Sequence, residues 1–446
     1  MSSDLARAAG ELTTLARLLR RGDRPTAAAA VERAANLLSQ GPEVRAADAL
    51  LKRVQVALGL RRLSIGIYDH ALQEIGGGQK YVATLASTLQ DEFDVTYLAN
   101  AEVHLGRVGD WYGLDLSRCR MRTIPLPFYR RRRWVDSSLV TPDMENPFDA
   151  VARASADYDV FVNANMLEKV RPLAPLSVLV CHFPDMPPRG HFAAHEYTVL
   201  IANSRYTRDW VRRKWGLEPS LLLYPPVDAA GPPLPKERIV LSAARFEPGG
   251  SKKQLEMIAA FRALLQAAPA QLAGWRMVLV GGSMRNNAYL ERVRAAAKAG
   301  GDRIEVRANV DLEELRKWYA RASLFWHACG LGEREPHLIE HFGMTTVEAM
   351  QNGCAPVVFD GGGQREIVEH GVSGVRFREL HELCAWTVRL VQDERVRNSL
   401  QQAARVRSER FARRAFTARG RLLFELLHRE YSTLPLIAAG VSTGSV

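Results

Sequence analysis

Short runs of aliphatic and β-branched residues alternate with helix-forming stretches from Arg62 onward, and no other feature constrains the fold as strongly. Six runs precede a proline-rich segment at 231–235, and five runs of the same kind follow it. Apolar runs separated by enough residues for crossover helices are typical of parallel strands buried on both faces. The sequence therefore predicts an α/β protein with two doubly wound, Rossmann-like domains. The predicted strands lie at 63–69, 94–100, 159–165, 176–183, 197–204, 220–228, 238–245, 276–282, 303–310, 322–328 and 355–361.

The predicted domain organisation has four parts. Residues 1–61 form an α-helical extension, 62–230 form the first Rossmann-like domain, and 236–410 form the second. The segment 231–235 is the linker, because proline-rich and glycine-rich stretches are typical of domain boundaries. Residues 411–431 are predicted to form a C-terminal helix that packs back toward the first domain.

Leucine and alanine recur at helical spacing in the first 61 residues, and glycines at 22 and 41 interrupt the pattern. A helical hairpin that packs on the body of the protein or on another subunit fits this pattern, so an oligomer formed through these helices is one expectation. An amphipathic segment on a membrane surface is the alternative. The segment has no aromatic residue to anchor it there, which disfavours this alternative.

The 446-residue chain has a formal net charge of +11. An excess of this size suggests an acidic partner such as nucleic acid, an anionic membrane or a phosphate-bearing substrate. Only nine of the 60 basic residues are lysine, however, and a coding bias toward arginine would produce the same ratio. Charge alone therefore does not choose among these partners.

Five widely spaced cysteines without a C-x-x-C pair are typical of reduced thiols rather than a disulfide framework or a zinc site. No apolar run reaches the roughly 20 residues that cross a bilayer, and the amino terminus lacks a signal-peptide core. These features predict a cytoplasmic protein, with peripheral contact at the inner face of the membrane as an open alternative.

Two motifs follow predicted strands, where ligands bind in parallel sheets. Gly76-Gly77-Gly78 opens a helix predicted for 79–90, so that an anion could approach the backbone closely at a helix amino terminus. Arg245 ends the first strand of the second domain, and Lys252 and Lys253 follow it across a glycine pair. Cations placed in this way suit a diphosphate. A plain glycine turn and a solvated basic loop are the structural alternatives.

The third motif is the most informative. Thr345 and Glu348 have the spacing of a capping box, which predicts a helix that begins there and ends at Gly353. The stretch 342–344 would turn backbone N–H groups toward an anion at the positive end of this helix. Glu340 and Glu348 could accept hydrogen bonds from two hydroxylated parts of one ligand. Capping is the alternative role for Glu348.

Taken together, these motifs resemble those of the retaining glycosyltransferases of family 4 (glycosyl transferases group 1), which have the GT-B fold. The segment from Glu340 to Glu348 is similar to the E-x7-E donor motif of that family. Gly76–Gly78 resembles its glycine loop, and 361–366 resembles its downstream donor loop. Arg245 with Lys252 resembles its diphosphate-binding pair. The resemblance extends over roughly 62–431.

The sequence departs from the family pattern at two places. The interval between Arg245 and Lys252 is lengthened, which leaves Lys253 as a rival for the phosphate-binding role. A polar insertion at 330–339 precedes Glu340.

The resemblance implies transfer of a hexose-type sugar from a UDP- or GDP-linked donor to a hydroxyl of a glycan, lipid-linked or small-molecule acceptor. It implies neither a metal nor another cofactor. Arg245 and Lys252 would stabilise the leaving diphosphate, Glu348 would hold the ribose, and Glu340 would hold the transferred sugar. The implied catalytic positions are His182, Arg245, Lys252 and Glu340. The implied donor-binding positions are Gly77, Gly78, Lys253, Phe342, Gly343, Met344, Thr345 and Glu348.

Parts of the sequence are also compatible with other functions. A sugar-nucleotide epimerase and a non-catalytic sugar-nucleotide-binding subunit share the same fold. The segment 337–341 matches the zinc peptidase pattern H-x-x-E-H, but Pro336 and Gly343 leave too little length for the helix it needs. Asp157-Tyr158-Asp159 resembles a metal-binding D-x-D, but it precedes a strand and so lies at the edge opposite to ligand sites. A buried structural histidine is the alternative for His182.

Residues 128–134 place four arginines between aromatic side chains. A solvated basic loop is the default interpretation, and nucleic acid is disfavoured because no nucleic-acid-binding module accompanies the run. Contact with an anionic membrane or a lipid-phosphate acceptor is the hypothesis, since each basic residue near anionic lipid contributes about 1 kcal/mol.

Changing the four arginines at 130–133 to serine is therefore expected to weaken flotation of the protein with anionic liposomes. Unchanged flotation would show that this segment makes no membrane contact.

Overall fold

The computed structural model describes residues 44–72, 76–126, 140–164, 167–184, 188–228 and 231–433, together with isolated helical residues between 9 and 36. The segment 128–134 lies outside the described residues, so its membrane contact stays a prediction. Among the helices that are described, none has both the length and the apolar character needed to cross a membrane.

Two separate parallel sheets are present in the described part of the chain. The first contains β1 (Ser64–Tyr68), β2 (Asp94–Ala99), β3 (Arg120–Thr123), β4 (Val160–Asn163), β5 (Leu176–Cys181), β6 (Val199–Ala202) and β7 (Leu221–Leu222). The second contains β8 (Glu237–Ala243), β9 (Arg276–Gly281), β10 (Ile304–Ala308), β11 (Ala322–His327), β12 (Ala355–Phe359) and β13 (Val375–Phe377). Their orders are β3-β2-β1-β4-β5-β6-β7 and β10-β9-β8-β11-β12-β13. Both are doubly wound, which confirms the predicted fold class.

Helices cover both faces of each sheet. They are α1 (Val44–Ala57), α2 (Gly77–Leu89), α3 (Leu105–Tyr112), α4 (Asp149–Ser155), α5 (Arg205–Trp215), α6 (Gln254–Ala267), α7 (Ala288–Lys298), α8 (Leu312–Arg321), α9 (Met344–Gln351), α10 (Gln364–Ile367), α11 (Leu380–Gln392), α12 (Glu394–Ser408) and α13 (Arg413–Thr433). All six residues of β5 and all six of β11 are buried. Burial on both faces explains why these strands are continuous apolar runs in the sequence.

The differences from the predicted strands lie at the sheet edges. β3 and β13 were not predicted, because β3 is polar and largely exposed and β13 is only three residues long. The run 220–228 forms only the short β7, since Pro225 and Pro226 lack the N–H groups that a longer strand would need.

In the amino-terminal segment, Arg20 and Glu32 lie in two separate groups of helical residues and form an ion pair with each other. Ala16, Ala28 and Val31 are buried. These contacts are compatible with a helical hairpin.

Helix α13 lies against the first sheet rather than the second, although it follows the second in the chain. Phe416, Phe424, Leu427 and Tyr431 are buried in the hydrophobic core of the first sheet. The chain therefore crosses between the two sheets twice.

Asp159 connects three parts of the chain at the amino end of the first sheet: the start of β1, the loop before β4 and α13. Arg61 donates to both of its carboxylate oxygens, at 2.7 and 2.8 Å, and the Ser64 amide and hydroxyl each donate at 2.8 Å. The Tyr431 hydroxyl of α13 also donates to it. Burial alone would raise the pKa of Asp159, but these donors, Arg61 foremost, hold it below its usual value. The carboxylate thus has a structural role, as its place before a strand predicts.

Asp159→Asn is expected to lower the free energy of unfolding by about 3 kcal/mol, because it leaves Arg61 without its charged partner. A depressed pKa stabilises the fold above the unfolded value of about 3.9, and this contribution is lost as the pH falls through the folded value. The difference between variant and wild type in urea unfolding should therefore narrow in acid.

Asp157→Asn is the matched control, since this carboxylate pairs with Arg122 at the surface. It should change stability by less than about 0.5 kcal/mol. Equal effects of the two variants would contradict the role given to Asp159.

Candidate active site

Loops at the carboxyl ends of the two sheets contact each other, and the region between these ends is called the cleft below. The glycine loop before α2 touches the start of α9, since a Cβ atom at Gly77 would lie 2.8 Å from the Met344 Sδ. Gly77 therefore allows the two domains to approach closely. In the first turn of α2, the Lys80 Nζ lies 3.6 Å from the Glu348 Oε1 of α9.

A partly buried ion pair lies on the second-domain side of this cleft. The Lys252 Nζ lies 2.9 Å from the Glu340 Oε2, and the His327 Nε2 lies 3.3 Å from the same oxygen. Burial alone would raise the pKa of Glu340, but Lys252 and His327 hold it well below its usual range. Burial alone would lower the pKa of Lys252, but the carboxylate raises it above its usual value. Both groups are therefore charged at neutral pH.

The two oxygens of Glu340 have different surroundings. Oε2 is contacted by the Lys252 amine and the His327 Nε2, whereas Oε1 has no hydrogen-bond donor among the described residues. A carboxylate oxygen readily accepts a hydrogen bond from a hydroxyl group. The ion pair therefore combines one anchored oxygen with one that is available to a hydroxylated ligand.

The three predicted phosphate ligands differ in their environment. The Arg245 side chain at the end of β8 is 62% exposed. Lys253 is the N-cap of α6 with a φ of 60°, and its Nζ lies 2.5 Å from Glu333 of the polar insertion. Lys252 pairs with Glu340 instead, and its side chain is about as exposed as that of Lys253. The two lysines thus differ in their carboxylate partner, and which of them binds phosphate stays a prediction.

Helix α9 begins one residue earlier than predicted. Its N-cap is Gly343, whose φ of 113° favours glycine, and no side chain caps it. The predicted capping box of Thr345 and Glu348 is therefore wrong, because Thr345 already lies within the first turn. The helix still ends before Gly353, which is left-handed with a φ of 73°.

Glu348 makes other contacts instead. Its Oε2 accepts a hydrogen bond from the Tyr319 hydroxyl at 2.9 Å, and its Oε1 faces Lys80 of the first domain. The side chain thus lies at the boundary between the domains, beside the glycine loop.

Phe342 packs its ring against Tyr224 and Phe411, with centroid distances of 5.6 and 5.5 Å. Its side chain therefore belongs to the hydrophobic core. A contact between Phe342 and a ligand would have to use its backbone.

His182 lies at the end of β5 with both ring nitrogens in hydrogen bonds. Nε2 donates to the Ala164 carbonyl at 3.2 Å, and Nδ1 accepts from the Asn203 amide at 3.3 Å. Burial lowers the pKa of His182 to about 4, so the imidazole is neutral. These contacts match the structural alternative, and the catalytic role that the resemblance implies for His182 stays a prediction.

An aromatic stack joins the domains next to this histidine. The rings of Phe183 and His341 are parallel to within 7°, with centroids 4.1 Å apart. The ring of Tyr206 also stacks on Phe183, with centroids 5.7 Å apart. The Tyr206 hydroxyl donates to the Pro336 carbonyl of the polar insertion at 3.0 Å. The insertion 330–339 therefore contacts the first domain across the cleft.

Glu366 also crosses between the domains. Its carboxylate accepts hydrogen bonds from the backbone N–H groups of Arg205 and Tyr206, both at 3.1 Å, and from the Tyr224 hydroxyl at 2.9 Å. A carboxylate at the amino terminus of α5 is favourable, because it satisfies free N–H groups at the positive end of the helix. The resemblance placed 361–366 in the donor loop, but this carboxylate faces the first domain.

Three residues near the cleft were missed in the sequence: Lys80, His327 and Gln364. His327 ends β11 at the ligand edge of the sheet, so its position could have identified it. Lys80 and Gln364 become significant only through contacts between distant segments, which no local pattern predicts.

The segment 337–341 does not form the helix of a zinc peptidase. Pro336–Leu338 is one 3₁₀ turn, and Ile339 after it is extended. The two histidines therefore do not lie on one helical face, as that pattern requires. In the described part of the chain, no group of three or more His, Cys, Asp or Glu side chains is arranged to hold a metal ion.

The sequence was compared with known families and proteins. Residues 228–407 match the family model described as "Glycosyl transferases group 1". A GDP-Man:Man(3)GlcNAc(2)-PP-Dol alpha-1,2-mannosyltransferase of Dictyostelium discoideum is 25% identical over 239 residues, which are 49% of this chain and 45% of that protein. The match thus spans less than half the length of this relative.

Solved structures with the same fold include Anabaena Alr3699/HepE in complex with UDP and glucose, at a TM-score of 0.60 and 17% identity. It is covered completely and aligns with 82% of this chain. Sucrose-phosphate synthase from Thermosynechococcus elongatus has a TM-score of 0.62 and 17% identity, with 83% of this chain and 100% of that chain covered. The predicted GT-B fold is confirmed by these structures, and the family match over 228–407 supports the prediction of a glycosyltransferase.

Glu366→Gln is expected to weaken the contact between the domains, because its NH2 group would face the N–H donors of α5. The radius of gyration from small-angle scattering should increase, while the free energy of unfolding of each domain changes little.

Glu369→Gln provides the control, since Glu369 pairs with Arg407 and its side chain is 55% exposed. It should leave the scattering unchanged. A scattering curve of Glu366→Gln that superimposes on that of wild type would show that the contact does not hold the cleft closed.

Proposed function

We propose that the protein is a retaining glycosyltransferase of the family 4 type, which transfers a hexose-type sugar from UDP- or GDP-linked donor to a hydroxyl acceptor without a metal. The observation that carries this proposal is the partly buried Lys252–Glu340 pair beside the start of α9. It places a cation and a hydroxyl-accepting carboxylate together at the ligand edge of the second sheet. The HepE structures with UDP, glucose or UDP-glucose support a nucleotide-sugar donor.

In this proposal the diphosphate lies near Lys252 and Arg245, at the positive end of α9. Negative charge develops on the leaving diphosphate as the bond from the sugar C1 breaks, and cations fixed there stabilise it most. The Arg245 side chain is 62% exposed and donates to Glu247 at 2.9 Å, so it would exchange this carboxylate for the phosphate. Glu348 would accept hydrogen bonds from the ribose, and Gly77 and Gly78 would allow the phosphates to approach the backbone of the first domain.

The transferred sugar would lie against Glu340, with the backbone of 342–345 beside it. The acceptor hydroxyl attacks C1 from the face that the diphosphate leaves, and its proton passes to a departing phosphate oxygen. Retention of configuration follows without a side-chain nucleophile.

The acceptor is proposed as a glycan, lipid-linked or small-molecule hydroxyl compound. The Dictyostelium relative supports a lipid-linked glycan, since its name describes transfer onto a dolichol-diphosphate oligosaccharide. Membrane contact through 128–134, cytoplasmic location and assembly through the amino-terminal helices belong to the same proposal and rest on sequence alone.

Lys252→Ala is expected to lower sugar transfer by about a hundredfold or more, because a fixed charge at the leaving group is lost. Glu340→Gln should reduce transfer strongly as well, since it removes the charge that holds Lys252. The measurement is release of nucleoside diphosphate with analysis of the glycosylated product. A thermal-shift screen of nucleotide sugars identifies the donor first, because a ligand at 100 times its Kd adds about 2.7 kcal/mol of stability.

Lys317→Ala is the control, because its amine pairs with Glu313 at the surface, away from the central pair. Its transfer rate should remain within about fivefold of wild type. Wild-type rates in both Lys252→Ala and Glu340→Gln would refute the assignment. Binding of a nucleotide sugar without turnover would favour the non-catalytic subunit, and a changed sugar configuration in the free nucleotide would favour the epimerase.

A further inference from the structure

A chain of hydrogen bonds lies behind Glu340. His327 is only 3% exposed and its Nε2 lies 3.3 Å from the Glu340 Oε2. On its other side, the His327 Nδ1 lies 3.3 Å from the Gln364 Nε2 at the start of α10. If Nδ1 accepts from the Gln364 amide, the ring proton is on Nε2, the nitrogen that lies 3.3 Å from the carboxylate. Gln364 thus fixes the tautomer that bonds Glu340.

Gly343 makes room for this chain. A Cβ atom at Gly343 would lie 2.5 Å from the Gln364 Nε2, and the φ of 113° at Gly343 also requires glycine. The buried Gln364 can therefore reach His327 only because position 343 has no side chain. The missing side chain at Gly343 of the donor motif thus leaves room for Gln364 of the downstream loop.

The proposed reaction makes two demands on Lys252. In the structure its amine bonds Glu340, whereas catalysis would require it to stabilise the leaving diphosphate. When Lys252 turns toward phosphate, Glu340 loses some of the attraction that orients its carboxylate. A second donor that does not contact the phosphate would keep the carboxylate in place. His327 is the side chain that occupies this position.

We propose that His327 is a positioning residue that holds the Glu340 carboxylate toward the donor sugar, with Gln364 fixing the imidazole. This inference rests on the proposed function, because it assigns the sugar to Glu340. It predicts that His327 affects recognition of the sugar and not of the nucleotide.

Calorimetric binding to the full chain tests this prediction, with UDP, UDP-glucose, GDP and GDP-mannose as the probes. His327→Leu should weaken binding of the matching nucleotide sugar by about tenfold, the effect of losing one hydrogen bond to a charged group. Binding of the corresponding nucleoside diphosphate should stay within twofold of wild type. In transfer assays the KM for the nucleotide-sugar donor should rise in parallel with this loss of nucleotide-sugar affinity.

Two substitutions distinguish positioning from a general packing effect. The amide of His327→Gln can replace the Nε2 donor and should restore most of the affinity, whereas that of His327→Asn can replace only Nδ1 and should not. Ser323→Ala on the same strand is the control, since its hydroxyl bonds the Glu237 carbonyl at the opposite end of β11. It should affect stability and leave the sugar-dependent affinity unchanged.

The outcomes separate this inference from the proposed function. Wild-type protein that binds none of the nucleotide sugars would overturn both. Wild-type binding of a nucleotide sugar with equal affinity in His327→Leu would overturn the positioning role alone. Equal losses for the nucleotide and the nucleotide sugar, or equal losses in the glutamine and asparagine variants, would also overturn it, because they would indicate only disturbed packing.

Discussion

The cleft depends on the place where the chain crosses between its two sheets. The outward crossing at Val227 and the return at Ala412 lie side by side as a parallel bridge. The Val227 amide donates to the Phe411 carbonyl, and the Arg413 amide donates to the Val227 carbonyl. Two paired crossings permit much less relative movement than one flexible linker would. These backbone hydrogen bonds therefore help to hold the orientation in which the ligand edges face each other.

Charged side chains extend from this crossing into the cleft. Asp228 contacts Arg413 on the return segment and lies 3.0 Å from Lys80 of α2. Lys80 in turn faces Glu348 of α9. The proposed ribose ligand is thus connected to the crossing through two ion pairs, in a buried environment where charges interact strongly. A ligand that binds Glu348 would weaken its ion pair with Lys80 and leave Lys80 with Asp228 as its remaining carboxylate partner.

Most of the fold could be predicted from the sequence, because a strand buried on both faces needs a continuous apolar run. The runs that became β5 and β11 were recognised for this reason, whereas the polar β3 and the short β13 carry no such signal. The pairing of Lys252 with Glu340 shows a different limit. The local sequence marks each residue as a candidate, but their contact depends on how distant loops fold together.

The error at Thr345 and Glu348 has the same origin. A capping box is a local pattern, and here tertiary contacts outweigh it, since Tyr319 and Lys80 supply partners that the helix terminus would otherwise provide. Glu366 shows the reverse case, because its carboxylate satisfies the amino terminus of a helix in the other domain. Local spacing can identify a group that seeks N–H donors, but only the fold determines which donors it finds.

The glycines of the motifs also depend on tertiary contacts. Gly77 admits Met344 from the opposite domain, and Gly343 admits the Gln364 amide that reaches His327. Both positions were interpreted in the sequence as places where a phosphate or sugar approaches the backbone. The same absence of a side chain serves the close packing of the protein around the cleft. A glycine in such a motif therefore indicates a close approach to the backbone. In this structure the groups that approach Gly77 and Gly343 include side chains of the protein itself.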